Sequence, residues 1–128
     1  MGKVIFNSDD FGYSHGVNYG IMDAYQRGIL TSTTLMANMP GFEHAVKLRK
    51  EMPRLGVGVH LTLTCGKPLL KTVDTLIESG EFRSLSYYQH PFNIDKDQLY
   101  QECSDSKNLS CGDHTNSFRQ SSSYSYFG

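Results

Sequence analysis

The stretch Lys3-Val4-Ile5-Phe6-Asn7-Ser8-Asp9-Asp10-Phe11-Gly12 constrains the fold more than any other. Three apolar residues run straight into two adjacent acids, an aromatic and a glycine. Burying an unpaired charge is costly, so carboxylates that end an apolar run belong near water, a cation or a metal. The pattern predicts a buried first strand of an α/β domain, with Asp9 and Asp10 just beyond it at the mouth of a site.

From Tyr13 to Leu63 the chain has the rhythm of βαβ units. A helix is expected from about Val17 to Arg27, with Ser14 as N-cap, Gly28 just past its end, and Val17, Ile21, Ala24 and Tyr25 toward the sheet. Gly20 inside it costs roughly 1 kcal/mol against alanine, which predicts close packing there. Ile29 to Met39 reads as a second strand, closed by the turn signal Asn38-Met39-Pro40-Gly41. A second helix runs from about Phe42 until Pro53 stops it, with Ala45, Val46, Leu48 and Met52 near one face. Gly56 to Leu63 reads as a third strand. Strands alternating with helices at these spacings give a parallel sheet with right-handed crossovers.

Beyond Cys65 the pattern loosens. Thr72 to Glu78 is a short helix or an excursion, and Ser79 to Phe92 an ordered loop region. Asp95 opens a helix, with Gln98 at the capping-box position. From about Cys103 the residues are mostly Ser, Asn, Asp and Tyr without a period. Two regions are therefore expected, a folded unit over 1–102 and a disordered tail over 103–128.

Composition narrows the function. The chain has 128 residues and a net charge of −1, with Lys and Arg scattered. That argues against nucleic acid as a partner. No apolar run approaches membrane-spanning length and no signal peptide precedes the first strand, so a soluble, cytoplasmic protein is expected. Cys65, Cys103 and Cys111 are odd in number and lack metal-type spacing, which disfavours both a disulfide framework and a cysteine zinc site.

In parallel sheets ligands gather at the carboxyl ends of the strands. Asp9 and Asp10 follow strand one, Asn38 ends strand two and His60 sits late in strand three. Carboxylate plus imidazole suits a divalent cation that binds water. Neighbouring strand residues point opposite ways, so one acid can be a ligand and the other a proton acceptor. An acid pair at a turn is otherwise a solvated cap, and a strand histidine a satisfied core residue. Their coincidence at one rim is what points to a site. His15, His44 and His90 read as loop or helix-surface residues.

The segments Asn7-Ser8-Asp9-Asp10-Phe11-Gly12, Gly28-Ile29-Leu30-Thr31-Ser32-Thr33-Thr34 and Gly58-Val59-His60-Leu61-Thr62-Leu63-Thr64, followed by Gly66-Lys67-Pro68, resemble the YdjC/ChbG family of carbohydrate deacetylases. The resemblance covers about the first hundred residues. It implies the N-terminal half of a distorted (β/α) barrel of the polysaccharide-deacetylase-like type. The implied activity is hydrolytic removal of acetyl groups from N-acetylated sugars such as chitooligosaccharides, as in chitin degradation. The implied cofactor is a divalent metal, magnesium first and zinc as the alternative. Asp10 and His60 would then be metal ligands and Asp9 the general base, while Asn38, from its place at the same rim, is expected to bind substrate. The partner would be a small acetylated carbohydrate, and full members of the family are expected to form homodimers.

The chain departs from the family at the third ligand, which belongs to a later Asp-Ser-His-His-His-x-His motif. His114 is the only histidine in the corresponding region, and its neighbours do not match. With permitted codons, Ser117 to Ser125 read one nucleotide later spell His-Phe-Asp-Ser-His-His-His-Ile. The tail is then expected to be out of frame, and the chain a truncated, weakly active or inactive deacetylase. Two other readings are a deacetylase-like remnant without catalysis and a receiver-type phosphoacceptor domain. The latter needs an acceptor Asp where this chain has His60.

Overall fold

The computed structural model describes residues 2–89 and 94–111. Its centre is a parallel three-stranded sheet of β1 (Asn7–Phe11), β2 (Ser32–Leu35) and β3 (Gly56–Val59). The crossovers are α1 (His15–Gln26) and α2 (Phe42–Arg49). Ser14 caps α1 as expected, its hydroxyl accepting from the Val17 N–H at 3.2 Å. Both helices cover one face of the sheet. Phe11, Ile21, Leu35, Ala45, Val46, Leu48, Met52, Leu55 and Val57 form the core between them. Each such side chain contributes roughly 1.5–3 kcal/mol when fully buried.

Strand order decides between fold types. In a receiver-like, doubly wound sheet β1 lies between its neighbours and helices cover both faces. Here β2 lies between β1 and β3, and both helices are on one side. The receiver reading is excluded on that ground.

The first strand departs from expectation. Strand pairing begins only at Asn7, and Val4 and Ile5 are 71% and 76% exposed. Backbone bonds to Thr31 hold Phe6 beside β2, but no layer of described residues covers the side chains before it. The other strands are shorter than expected. His60 lies one residue beyond β3, and its N–H still donates to Leu35 O at 2.9 Å. Gly20 faces open space rather than a close neighbour.

The segment after the sheet is more structured than its sequence promised. β4 (Ile77–Glu78) and β5 (Glu81–Phe82) form a small hairpin, and α3 (Leu85–Tyr88) follows. Ser79 and Gly80 at its tip both have positive φ, 54° and 85°, as the tight primed hairpin turn requires. Val73, Leu76 and Phe82 form a second apolar cluster. Asp95 caps α4 (Lys96–Cys111), its Oδ1 accepting from the N–H groups of Asp97 and Gln98 at 2.8 and 3.1 Å. Gln98 does not close a capping box, because its side-chain oxygen accepts from Thr75. The helix runs on through Cys111, past the boundary expected at residue 102. Glu102, Ser106 and Ser110 recur every four residues on its buried face, so packing outweighs the polar composition. The expected loop at His90 and the tail with His114 lie in 90–93 and 112–128, outside the described residues.

Candidate active site

The site begins with a register slip. Ser8 pairs with Thr33 and Phe11 with Leu35, so β1 holds one residue more than β2 over this span. The extra residue is accommodated at Asp10, whose φ is 69°. This left-handed conformation costs an ordinary L-residue roughly 1–2 kcal/mol, and Asp is among those that adopt it most readily. Without the bulge, Phe11 would share a face with Asn7 and Asp9. With it, Phe11 enters the core under the helices while Asp9 stays on the opposite face. Gly12 follows with φ 98°, and a Cβ there would lie 2.8 Å from Met36 O. Only glycine fits that turn.

The face away from α1 and α2 is polar and joined by hydrogen bonds. Ser32 Oγ donates to Asn7 Oδ1 at 2.8 Å, and Asn7 Nδ2 donates to Asp9 Oδ1 at 2.8 Å. Thr34 Oγ1 also donates to Asp9 Oδ1 at 2.8 Å and lies 3.1 Å from His60 Nδ1. Asp10 approaches the same ring, with Oδ1 3.6 Å from Nδ1 and its backbone N–H at 3.4 Å. Asp10 therefore meets His60 directly, and Asp9 is linked to it through Thr34. Asp9 lies inside the strand rather than beyond it, while Asp10 is the more exposed of the two.

Asn38 sits at the same rim and ties a loop down. Its Nδ2 donates to Cys65 O at 3.1 Å and to Lys67 O at 3.3 Å. Only its Oδ1 remains unbonded among the described residues. Cys65 is near enough to Asp10 to feel it: partial burial and then the Asp10 charge push its thiol up.

Two residues that organise this rim carry no mark in the sequence. One is Thr34. The other is Asn18, fully buried on α1. Its Oδ1 accepts from the Gly12 N–H at 2.7 Å, and its Nδ2 donates to Gly41 O at 2.9 Å. Those backbone partners fix the orientation of the amide. Its remaining N–H then meets His44 Nδ1 at 3.1 Å, which makes that nitrogen an acceptor. A polar residue between Val17 and Ile21 is also what a solvated helix face carries, so the sequence does not single it out. His15 and His44 are also not mere surface residues. They sit on the first turns of α1 and α2 with ring centroids 4.2 Å apart, and Tyr19 packs edge-on against His44. Partial burial, then His15 and Lys47, lower the His44 pKa.

The donor chemistry fits a divalent cation in type. Among the described residues the Asp10 carboxylate makes no hydrogen bond or ion pair other than that with His60, and the His60 ring uses only Nδ1. A hard carboxylate oxygen and an imidazole nitrogen suit magnesium or zinc. They are part of a ligand set, since no three His, Cys, Asp or Glu side chains gather to hold an ion among the described residues.

Residues 3–105 match the model of the YdjC-like proteins, and the chain belongs to that family. A carbohydrate deacetylase of Geobacillus stearothermophilus is 60% identical over 78 residues, covering 61% of this chain and 32% of that protein. Carbohydrate deacetylase 2 of Listeria innocua serovar 6a is 48% identical over 100 residues, covering 78% and 40%. Among solved structures, a protein of Enterococcus faecalis V583, provisionally described as a cellobiose-phosphate cleavage protein, superposes with a TM-score of 0.73. It is 38% identical and is matched over 83% of this chain and 42% of its own. The chain thus spans 40% or less of these two curated deacetylases.

Proposed function

We propose that this site serves the metal-dependent hydrolysis of acetyl groups from N-acetylated sugars of the chitooligosaccharide type. The observation that carries the reading is the convergence of Asp9, Asp10 and His60 on one polar sheet face, in a chain related to carbohydrate deacetylases. Asp10 and His60 would hold the cation, magnesium or else zinc, which when bound supplies Lewis acidity toward the amide carbonyl and toward water. Asp9 would take the proton from the attacking water. Its Oδ1 is held by Asn7 and Thr34, and its Oδ2 accepts no hydrogen bond among the described residues. Asn38 would present Oδ1 to the sugar. The sequential strand order, helices on one face and polar residues on the other support reading the sheet as an arc of a (β/α) barrel whose interior is the polar face.

The test is acetate release from N,N′-diacetylchitobiose with added Mg²⁺ or Zn²⁺, beside Asp9→Asn and His60→Ala. Metal-dependent release that both variants abolish supports the proposal. A second reading, a remnant without catalysis, is favoured by the set of only two candidate donors among the described residues. Absence of release from the folded chain with either metal would select it.

A further inference from the structure

The Thr34 hydroxyl has one proton and two neighbours that compete for it. Asp9 Oδ1 lies at 2.8 Å and His60 Nδ1 at 3.1 Å. A hydroxyl bonds a carboxylate more strongly than a neutral nitrogen, and the shorter distance agrees. Once the proton is directed to Asp9, only oxygen lone pairs face His60. The contact is then favourable only if Nδ1 carries the hydrogen and donates it. The Asp10 carboxylate, 3.6 Å from Nδ1, favours the same arrangement. The Asp10 backbone N–H, 3.4 Å from Nδ1, opposes it, but that contact is longer and weaker than the one with Thr34 at 3.1 Å.

We infer that Thr34 is a positioning residue: it relays the Asp9 carboxylate to His60, holds the ring as the Nδ1–H tautomer and leaves Nε2 as the lone-pair donor to a divalent cation. Thr34 is 5% exposed, so water does not compete for its hydroxyl. Its backbone is fixed at the centre of the sheet, between Gly58 and β1, so the hydroxyl has a defined position. A ligating imidazole commonly donates its other ring N–H to an oxygen, which sets both tautomer and ring orientation. Here that oxygen is shared with the acid assigned as base. The inference about the cation rests on the functional reading above; the inference about the tautomer does not.

The test is long-range ¹H–¹⁵N correlation NMR on the ¹⁵N-histidine-labelled 128-residue chain at a pH where the ring is neutral, with His60 assigned by its absence in His60→Ala. The expected result is an Nδ1–H ring in the parent and in Thr34→Ser, and a shift toward Nε2–H in Thr34→Val. Calorimetric titration with Zn²⁺ should show affinity falling about 10–100-fold in Thr34→Val and recovering in Thr34→Ser. An Nε2–H ring in the parent overturns the inference, and this needs no variant to fold. An Nδ1–H ring retained in Thr34→Val overturns it too, assigning control to Asp10. The expected tautomers with no Zn²⁺ binding would uphold the role of Thr34 and defeat the metal-site reading.

Discussion

Replacing Asn18 by alanine tests whether the rim is held by a single buried amide. Gly12 N–H has Asn18 Oδ1 as its partner at 2.7 Å, and Gly12 is buried. Truncation strands that donor, at a cost of about 1–3 kcal/mol. Gly41 O loses its bond to Nδ2 but keeps the one from Ala45 N–H at 2.9 Å, so the loss there is smaller, about 0.5–1.5 kcal/mol. The sum is about 1.5–4.5 kcal/mol, a large part of the roughly 5–15 kcal/mol that holds a typical domain together. Urea unfolding followed by circular dichroism reads it, with Gln26→Ala, an exposed site on the same helix, staying within about 0.5 kcal/mol of the parent. An Asn18→Ala midpoint that places the loss below about 1 kcal/mol, at unchanged slope, would refute the clamp.

Three further outcomes rest on single contacts. The lowered His44 pKa means the unfolded chain binds protons more readily, so stability should fall as pH drops below the ordinary histidine value of 6.5; urea midpoints between pH 8 and pH 5.5 should flatten in His44→Gln. Glu102 is buried and accepts from the N–H groups of Leu69 and Leu70 at 2.7 and 3.0 Å, so Glu102→Ala should cost about 3–5 kcal/mol and Glu102→Gln less, read as melting temperatures. Gly20→Ala should stabilise by about 0.5–1 kcal/mol in the same assay, since a Cβ there meets nothing within 4 Å.

The helices and the parallel sheet were legible because their apolar periods are regular: Ala45, Val46 and Leu48 fell on the buried face of α2 as their spacing required, although the helix ends at Arg49 and Met52 is buried from the turn beyond it rather than from the helix. Residue choice at Ser14 and Asp95 likewise announced the caps they make. What was not legible depends on neighbours distant in sequence. Val4, Ile5 and Phe6 look like a core strand by composition, yet their burial depends on what lies beside β1. The serines of α4 look like a tail, yet Ser106 and Ser110 are buried because the helix lies against β3. Asp9, Asp10, His60 and Asn38 could be assigned to one rim from strand order alone. Thr34 and Asn18 could not, because nothing local marks a hydroxyl or amide whose partners are 25 and 23 residues away.

The bulge at Asp10 explains why two adjacent acids can share one site, and it makes a prediction that separates backbone from charge. A regular strand would send Asp9 and Asp10 to opposite faces. One inserted residue in the left-handed region brings Asp10 directly to His60, to which Asp9 is linked through Thr34, and returns Phe11 to the core. Asp10→Gly and Asp10→Ala lose the same carboxylate and the same contact with Nδ1. They differ in the backbone: at φ 69° alanine meets the left-handed penalty of roughly 1–2 kcal/mol, and glycine does not. Glycine's greater freedom in the unfolded chain returns about 0.5–1 kcal/mol of that. Asp10→Gly should therefore be more stable than Asp10→Ala by up to about 1.5 kcal/mol, although glycine in an ordinary strand is the weaker residue. If Asp10→Ala is the more stable of the two, the acid is not held in the left-handed conformation. The bulge could then not be what brings it to the histidine.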